Sequence, residues 1–273
     1  MEDQHNLIAT LIDDCAGGTY LMTRTDGTRV GIFKPRQEEP GMDKNPKGVT
    51  KIESLEKEGF TSGGGWIREI AAYEIGGEFA GVPKTEKMVF NEEEGSYQEF
   101  IKSEGRSDDY PPRTYDPKCV RRIALLDLVI LNCDRHSGNM LVVDKKGLIP
   151  IDHGLCFPSS LESLDFSWHF WPQSKDKFDD EEKKWVNGLL CGVERVKQLQ
   201  DWGIDKPSAE LSAAATTVLK AYVDQGWTAR QLADMWVPAR FNEPSALAQL
   251  NESCKTDGKI DFQLLEERMN MKE

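Results

Sequence analysis

Apolar and polar positions over the first hundred residues follow strand patterns, interrupted by one helical pattern. Apolar runs on both sides of a Gly-containing turn predict two strands within residues 17–35. Apolar residues then recur every three to four positions over 66–79, which predicts a helix. Two further apolar runs, at 82–90 and 96–101, predict strands. This order predicts a small antiparallel sheet with one main helix.

The pattern beyond residue 102 is mostly helical. An apolar helix is predicted at 119–132, followed by a short hairpin at 141–152 with DKKG as its turn. The acidic start of segment 179–185 suits the first turn of a helix, because the helix dipole favours negative charge there. Another helix is predicted at 208–223, with Ser208 as its N-cap.

The two halves of the chain therefore differ in character, which is typical of an α+β protein with two lobes. We expect a β-rich N-terminal lobe over residues 1–101 and a helical C-terminal lobe over residues 102–273. Segment 35–65, rich in Pro, Gly, Lys and Glu, is predicted to be a long insertion within the first lobe.

Composition narrows the class of protein. The 273 residues include 34 basic and 47 acidic side chains, for a net charge of −13. That balance argues against nucleic-acid binding and against a polybasic membrane anchor. The six cysteines form no CxxC pair, and we find neither a membrane-spanning run nor a secretory signal. We therefore expect a cytoplasmic protein with reduced thiols.

The strings LNCDRHSGNMLVV (131–143) and IPIDHG (149–154) carry the most specific chemistry. A hairpin between them would return the chain, so that Asp152 can lie beside Asn139. These two residues offer oxygen ligands to Mg²⁺, which takes few protein ligands, while Asp134 can orient or deprotonate an attacking hydroxyl. Either string alone is consistent with an ordinary turn or strand end, but their combination favours phosphoryl transfer.

Upstream residues add to this interpretation. Lys34 ends a hydrophobic strand, as the phosphate-binding lysine of kinases does. Such a lysine is often only a solvated charge, but Glu69 in the following helix can supply the anion that a buried lysine needs. Gly17 and Gly18 would let a loop cover phosphates, although a plain hairpin turn is equally consistent. Backbone groups of segment 97–101 would meet an adenine edge.

These segments resemble the catalytic domain of the phosphatidylinositol 3-/4-kinase superfamily, most closely its type II and plant-type gamma phosphatidylinositol 4-kinases. The order Asp-Arg-His in DRHxxN differs from the His-Arg-Asp order of ordinary protein kinases, so the motif is specific. The resemblance covers about residues 15–175 and implies a two-lobed protein-kinase-like fold. The segments that carry it are GGTYL (17–21), FKPRQEEP through NPKG (33–48), REIAAYEIG (68–76), YQEF (97–100), LDLVILNCDRHSGNMLV (126–142), IPIDHGLCFP (149–158) and FSWHFWPQ (166–173).

The resemblance also implies cofactors and roles. ATP would lie between the lobes, with Mg²⁺, or Mn²⁺ as a second option, held by Asn139 and Asp152. Asp134 would be the catalytic acid/base, with His136 and Lys34 as further catalytic residues. The residues implied to bind ATP are Gly17, Gly18, Thr19, Ile32, Lys34, Glu69, Gln98, Glu99, Phe100, Ile101 and Ile151.

Two more residues of these motifs are expected to act within the protein. Arg135 is expected to pack or pair inside its loop. His153 occupies the place of the middle residue of the kinase Asp-Phe-Gly motif. Asp-His-Gly is usual in the most similar relatives, so it does not indicate an inactive enzyme.

The segment after Asp152 would be the activation loop. It holds Glu162 and Asp165 but no Lys or Arg before Lys175. A loop that binds extra phosphates on an inositol ring should be basic, so unphosphorylated phosphatidylinositol is the favoured lipid. The aromatic residues of this loop either reach a membrane interface or, as we favour, pack on the helical lobe; they are Trp168, Phe170 and Trp171.

The acceptor is less well determined than the chemistry. The net charge of −13 opposes binding to an anionic bilayer, so membrane contact is expected to be peripheral and to need a recruiting partner. A phosphatidylinositol 4-kinase is the leading hypothesis. The alternatives are a Ser/Thr protein kinase of this fold, which would act on a protein substrate, and a non-catalytic nucleotide-binding module. The complete set of catalytic-site residues counts against the last.

Overall fold

The structure is a computed structural model that describes residues 6–50, 59–162, 164–240 and 243–270. Part of the expected insertion, residues 51–58, lies outside the described residues. The described part of the insertion begins with a short 3₁₀ helix at Arg36–Glu38.

Among the described residues, the N-terminal lobe contains five antiparallel strands: β1 (Leu7–Leu11), β2 (Tyr20–Arg24), β3 (Arg29–Pro35), β4 (Thr85–Phe90) and β5 (Glu93–Glu99). Their order in the sheet is β1-β2-β3-β5-β4. Four of them confirm the predicted strands. β1 is absent from the prediction because it is a short edge strand whose alternate residues are only half-buried, which leaves a weak apolar signal.

The two faces of β3 have different surroundings: one packs into a small core and the other faces the cleft between the lobes. Phe33 is buried and packs with Met22 and Phe90 in a small core on one face. Ile32 and Lys34 alternate with Phe33 and therefore project from the opposite face.

Helix α1 (Gly65–Ala80) follows the insertion and confirms the predicted main helix. Its first amides, of Gly65 and Trp66, donate to the Glu39 carboxylate at 3.0 and 2.8 Å, which satisfies groups that a helix N-terminus leaves unpaired. Gly76 lies where an added Cβ would be only 2.6 Å from Leu126, so the glycine permits close approach to the next helix.

Helices dominate the C-terminal lobe: α2 (Pro117–Ile130), α3 (Asp180–Gly188), α4 (Gly192–Asp201), α5 (Lys206–Asp224), α6 (Ala229–Trp236), α7 (Ala246–Ser253) and α8 (Phe262–Asn270). A small sheet lies among them, with strands β6 (Gly105–Arg106), β7 (Met140–Val143) and β8 (Gly147–Pro150). Two short strands, β9 (Lys255–Thr256) and β10 (Lys259–Ile260), pair near the end. The β-rich first part and helical second part confirm the α+β, two-lobed prediction.

The start of α5 corrects one local prediction. Asp205, not Ser208, is the N-cap, because its carboxylate accepts a hydrogen bond from the Ser208 amide at 3.1 Å. Ser208 already lies inside the first turn, and its hydroxyl is buried without a hydrogen-bond partner among the described residues. By contrast, the acidic start of α3 is as predicted, with Asp179 and Glu182 forming a capping box.

The main hydrophobic core joins α1 to the helices of the second lobe, and α2 lies at its centre. Seven consecutive residues of α2 from Ala124 to Ile130 are fully buried. None of the described helices is long and apolar enough to cross a bilayer. The predicted boundary at 101–102 falls between β5 and β6 and stays a prediction.

Candidate active site

Lys34 forms the centre of an ion cluster between the lobes. Its ammonium group donates to Oε1 of Glu69 on α1 and, at 2.8 Å, to Oδ1 of Asp152 beyond β8. Burial alone would lower the pKa of Lys34, but the two carboxylates outweigh it and raise that pKa above its ordinary value. Lys34 in turn lowers the pKa of Asp152, against the effect of burial. The structure therefore brings the predicted lysine and both of its acidic partners together.

The catalytic-loop residues form a second group. The Asn139 amide nitrogen donates to the backbone oxygen of Asp134 at 3.0 Å and to its Oδ2 at 3.2 Å. This leaves the amide oxygen of Asn139 as the atom that can face a metal. His136 lies beside them, with Nε2 3.9 Å from Oδ1 of Asp134 and with Nδ1 accepting from the Gly138 amide.

The β7–β8 hairpin connects the two groups. The amide of Ile151, just after β8, donates to the Asn139 carbonyl at 3.0 Å, so the far end of the hairpin lies beside its start. Asp152 then adopts a left-handed backbone with φ of 58°, a conformation that Asp tolerates better than most residues. Burial and the negative charge of Asp152 raise the pKa of Asp134, as expected of two neighbouring carboxylates.

A buried polar network lies beneath these groups. Arg135 donates through Nε to both carboxylate oxygens of Asp127, at 3.1 and 3.0 Å, and Trp168 Nε1 donates to the same carboxylate at 2.8 Å. Arg135 also donates to the carbonyls of Asn139 and Ile151. Arg135 was expected to pack or pair inside its loop; it is buried and does meet Asn139 there, but its ion pair is with Asp127 of α2.

Asp127 was not among the predicted site residues. Its signal in the sequence is a single acid inside an otherwise apolar stretch of α2, and the structure shows that it is fully buried. Sequence alone does not tell which positively charged side chain pairs with such an acid. Here it anchors the catalytic loop through Arg135 and the activation segment through Trp168.

The expected adenine segment is only partly free to bind adenine. Gln98 pairs with Ile32 of β3 and with Thr85 of β4, so it lies inside the sheet and shares the cleft face with Ile32. The amides of Glu99 and Phe100 already donate to backbone carbonyls of Lys84 and Val30, at 2.8 and 3.0 Å. Two amide donors of the expected adenine segment are therefore already used within the sheet.

The predicted glycine loop is packed against the insertion. The Gly18 amide donates to the Glu38 carbonyl at 2.8 Å, and a Cβ on Gly18 would come within 2.1 Å of the Glu38 carboxylate. Gly18 and Thr19 are buried there, while Gly17 faces Pro40. Packing against the insertion thus explains why small residues stand here. Gly18 and Thr19 do not face the open cleft.

Two of the three aromatic residues of the activation segment pack inward. Trp168 is fully buried and Trp171 nearly so, and Trp171 lies 5.2 Å from the ring of Tyr115. Phe170 is 69% exposed, with the Arg230 guanidinium 4.3 Å from its ring centre. Packing on the helical lobe, the favoured alternative, is therefore what Trp168 and Trp171 do.

The donor set fits a magnesium ion. Asn139 and Asp152 supply an amide and a carboxylate oxygen, the hard ligands that Mg²⁺ prefers, and Mg²⁺ completes its shell with phosphate and water. The described residues contain no cluster of three or more His, Cys, Asp or Glu that could hold a metal ion.

Known proteins are similar to this chain over most of its length. The sequence pattern of the family described as phosphatidylinositol 3- and 4-kinase matches residues 20–209. The chain is 31% identical over 273 residues to phosphatidylinositol 4-kinase gamma 4 of Arabidopsis thaliana, covering 88% of this chain and 48% of that protein. It is 32% identical over 252 residues to the gamma 4 enzyme of Oryza sativa subsp. japonica, covering 82% of this chain and 44% of that protein.

The chain thus spans about half the length of the curated relatives it matches. A solved Helicobacter pylori proinflammatory kinase, CtkA, aligns with 97% of this chain and 96% of its own at 12% identity, with a TM-score of 0.34. The predicted resemblance is confirmed by the family match and the sequence relatives: this chain belongs to the phosphatidylinositol 3- and 4-kinase family.

Proposed function

We propose that this chain is an ATP-dependent phosphatidylinositol 4-kinase, which transfers the γ-phosphate of ATP to an inositol hydroxyl of phosphatidylinositol. The observation that carries the proposal is the convergence of Lys34, Glu69 and Asp152 with Asp134 and Asn139 between the lobes. The names of the similar plant proteins support the same activity.

Each of these residues has a part in the proposed reaction. Lys34, held by Glu69, binds the ATP phosphates. Asp134 accepts the proton of the attacking hydroxyl, and burial favours this role because it raises the pKa of that carboxyl. A bond forms between the hydroxyl oxygen and the γ-phosphorus, the bond from that phosphorus to the ADP oxygen breaks, and ADP leaves with the electron pair.

The metal in this proposal is Mg²⁺, held by Asn139 and Asp152. When bound, it neutralises charge on the phosphate oxygens. The low pKa of Asp152 keeps its carboxylate ionised and therefore suited to a cation.

The activation segment supports an acceptor without extra phosphates. No Lys or Arg lies between Asp152 and Lys175, so the segment lacks side chains that would hold phosphates on the inositol ring. Phosphatidylinositol itself therefore fits better than its phosphorylated forms.

A protein acceptor is the second candidate, and the charge of the chain favours it. A net charge of −13 repels an anionic bilayer. For the lipid reaction we therefore propose a cytoplasmic chain brought to the membrane surface by a partner.

The proposal can be tested by incubating the protein with labelled ATP and Mg²⁺, and with either phosphatidylinositol vesicles or a generic protein mixture. Label in the lipid supports it, whereas label only in protein selects the second candidate. Nucleotide binding without any transfer would instead indicate a non-catalytic module. Asp152→Asn, which tolerates the left-handed backbone, should reduce transfer to background, and Asp144→Asn in the exposed hairpin turn is the matched control.

A further inference from the structure

We infer that His153 is a positioning residue that links the catalytic loop to the Lys34–Glu69 pair. In its ring, Nε2 accepts a hydrogen bond and Nδ1 carries the proton. This inference rests on the proposed use of Lys34 to bind ATP. Its basis is a continuous set of buried contacts that runs from Asp127 through Arg135 and His153 to Glu69.

The burial of this set makes each contact consequential. Asp127 and His153 are fully buried, and Arg135 and Glu69 are only 1% and 2% exposed. Water therefore does not replace a lost hydrogen bond at these positions, and a missing partner leaves a polar group unsatisfied. The side chains of Asp127, Arg135 and His153 are consequently tied to one another, and the Glu69 carboxylate is tied to the His153 backbone.

The direction of the hydrogen bonds determines the tautomer of His153. Nη2 of Arg135 lies 2.9 Å from Nε2 of His153. A guanidinium can only donate, so Nε2 must be the acceptor and the ring proton must sit on Nδ1. The other guanidinium nitrogens of Arg135 are directed to Asp127, Asn139 and Ile151, so Nη2 is the nitrogen left to meet the His153 ring.

The Nδ1 proton faces Glu69. Nδ1 is 3.8 Å from Oε2 of Glu69 and has no hydrogen-bond partner among the described residues. The backbone amide of His153 already donates to the same Oε2 atom at 3.0 Å. His153 thus holds Glu69 by its amide and presents a second donor beside the same oxygen.

A phenylalanine at this place in the motif would keep the backbone contact to Glu69 but would make neither of the two ring contacts. It would leave a buried N–H of Arg135 against an apolar ring and remove the donor next to Glu69. Glu69 in turn orients Lys34. His153 therefore couples the position of the catalytic loop to that of Lys34, the residue proposed to bind the nucleotide phosphates.

The tautomer can be tested by NMR on the whole chain with ¹⁵N-labelled histidine. The protein has four histidines, and His153→Gln assigns the signal that it removes. We expect a neutral ring with the proton on Nδ1 for His153. His136 is an internal contrast, since its Nδ1 accepts from Gly138 and its proton should lie on Nε2 when the ring is neutral. A proton on Nε2 of His153 would overturn the inference.

Nucleotide affinity tests the coupling. His153→Phe should weaken binding of a non-hydrolysable ATP analogue about tenfold, and His153→Gln, which restores an acceptor for Arg135, should recover part of that loss. Trp236→Phe is the matched control, because it removes one buried hydrogen bond, to the Leu128 carbonyl, outside this network. It should leave affinity unchanged.

Equal losses in Trp236→Phe and His153→Phe, or unchanged affinity in both, would contradict the coupling. Circular dichroism and urea unfolding establish that each variant is folded. If His153→Phe does not fold, the nucleotide affinity of His153→Gln, compared with that of the wild-type protein, tests the coupling instead. A wild-type protein that binds no nucleotide would refute the proposed function, whereas the tautomer measurement tests this inference without nucleotide.

Discussion

Asp134 and Asp152 are both site carboxylates, yet their surroundings shift their pKa values in opposite directions. Lys34 lowers the pKa of Asp152, whereas burial and the charge of Asp152 raise the pKa of Asp134. Such divergence separates a permanently charged group from one that can take up a proton. It supports Asp152 as the metal ligand and Asp134 as the proton acceptor.

Replacing Asp134 by Asn should therefore affect the chemical step more than binding. We expect phosphoryl transfer to fall about 10²- to 10⁴-fold, the usual contribution of a general base, with nearly unchanged affinity for ATP. Turnover with labelled ATP and binding of a non-hydrolysable analogue separate the two effects. Asp144→Asn in the exposed turn serves as control, and near-normal turnover of Asp134→Asn would refute the assignment.

Asp127 should matter chiefly for stability. Asp127→Asn leaves the buried Arg135 guanidinium without its counter-ion, which costs about 3–5 kcal/mol in buried pairs of this kind. Urea unfolding measures the change. Asp224→Asn, at an exposed hydrogen bond to Asn187, should have little effect, and a similarly small effect of Asp127→Asn would contradict the structural role given to this acid.

At the scale of elements, periodicity predicted where helices and strands lie better than where they begin. Helices α1 and α2 bury long apolar faces, so their spacing is evident in the sequence. The start of α5 was misplaced, since both Asp205 and Ser208 are acceptable caps by residue type. Only the hydrogen bond from the Ser208 amide to Asp205 decides between them.

Two substitutions at α5 distinguish these caps. Asp205→Ala should lower the free energy of unfolding by about 1 kcal/mol. Ser208→Ala should be neutral or slightly stabilising, because the Ser208 hydroxyl is buried without a partner among the described residues. Thermal or urea unfolding of the two variants provides the measurement, and the opposite ranking would restore Ser208 as the cap.

Some parts of the candidate site were predicted from the sequence more completely than others. Asp152 was expected to lie beside Asn139 across the hairpin, and the hydrogen bond from the Ile151 amide to the Asn139 carbonyl brings the residue just before Asp152 there. The adenine segment stays a prediction, and the structure adds that the amides of Glu99 and Phe100 within it pair inside the sheet. Such pairing depends on neighbouring strands that are distant in sequence, so local pattern does not reveal it.

For the whole molecule, charge is the property with the widest consequence. The net charge of −13 acts over the entire surface and opposes approach to an anionic membrane. The proposed recruitment by a partner would have to overcome this repulsion.

Vesicle composition tests the effect of charge. At equal phosphatidylinositol content, we expect faster transfer in phosphatidylcholine vesicles than in vesicles rich in phosphatidylserine. The difference should shrink as salt rises, because the Debye length falls to about 8 Å at physiological ionic strength and about 3 Å at 1 M. A preference for phosphatidylserine at low salt would show that a local basic surface outweighs the net charge.

The sequence by itself determined the family and the two-lobed layout and indicated the residues proposed to carry the chemistry, because these depend on local patterns and motif spacing. The tertiary structure decided which groups meet: Lys34 with Glu69 and Asp152, and Arg135 with Asp127 and His153. Those contacts join residues far apart in the chain. Their geometry follows from how sheet, hairpin and helices pack, and it assigns to His153 a part that its position in the motif alone did not indicate.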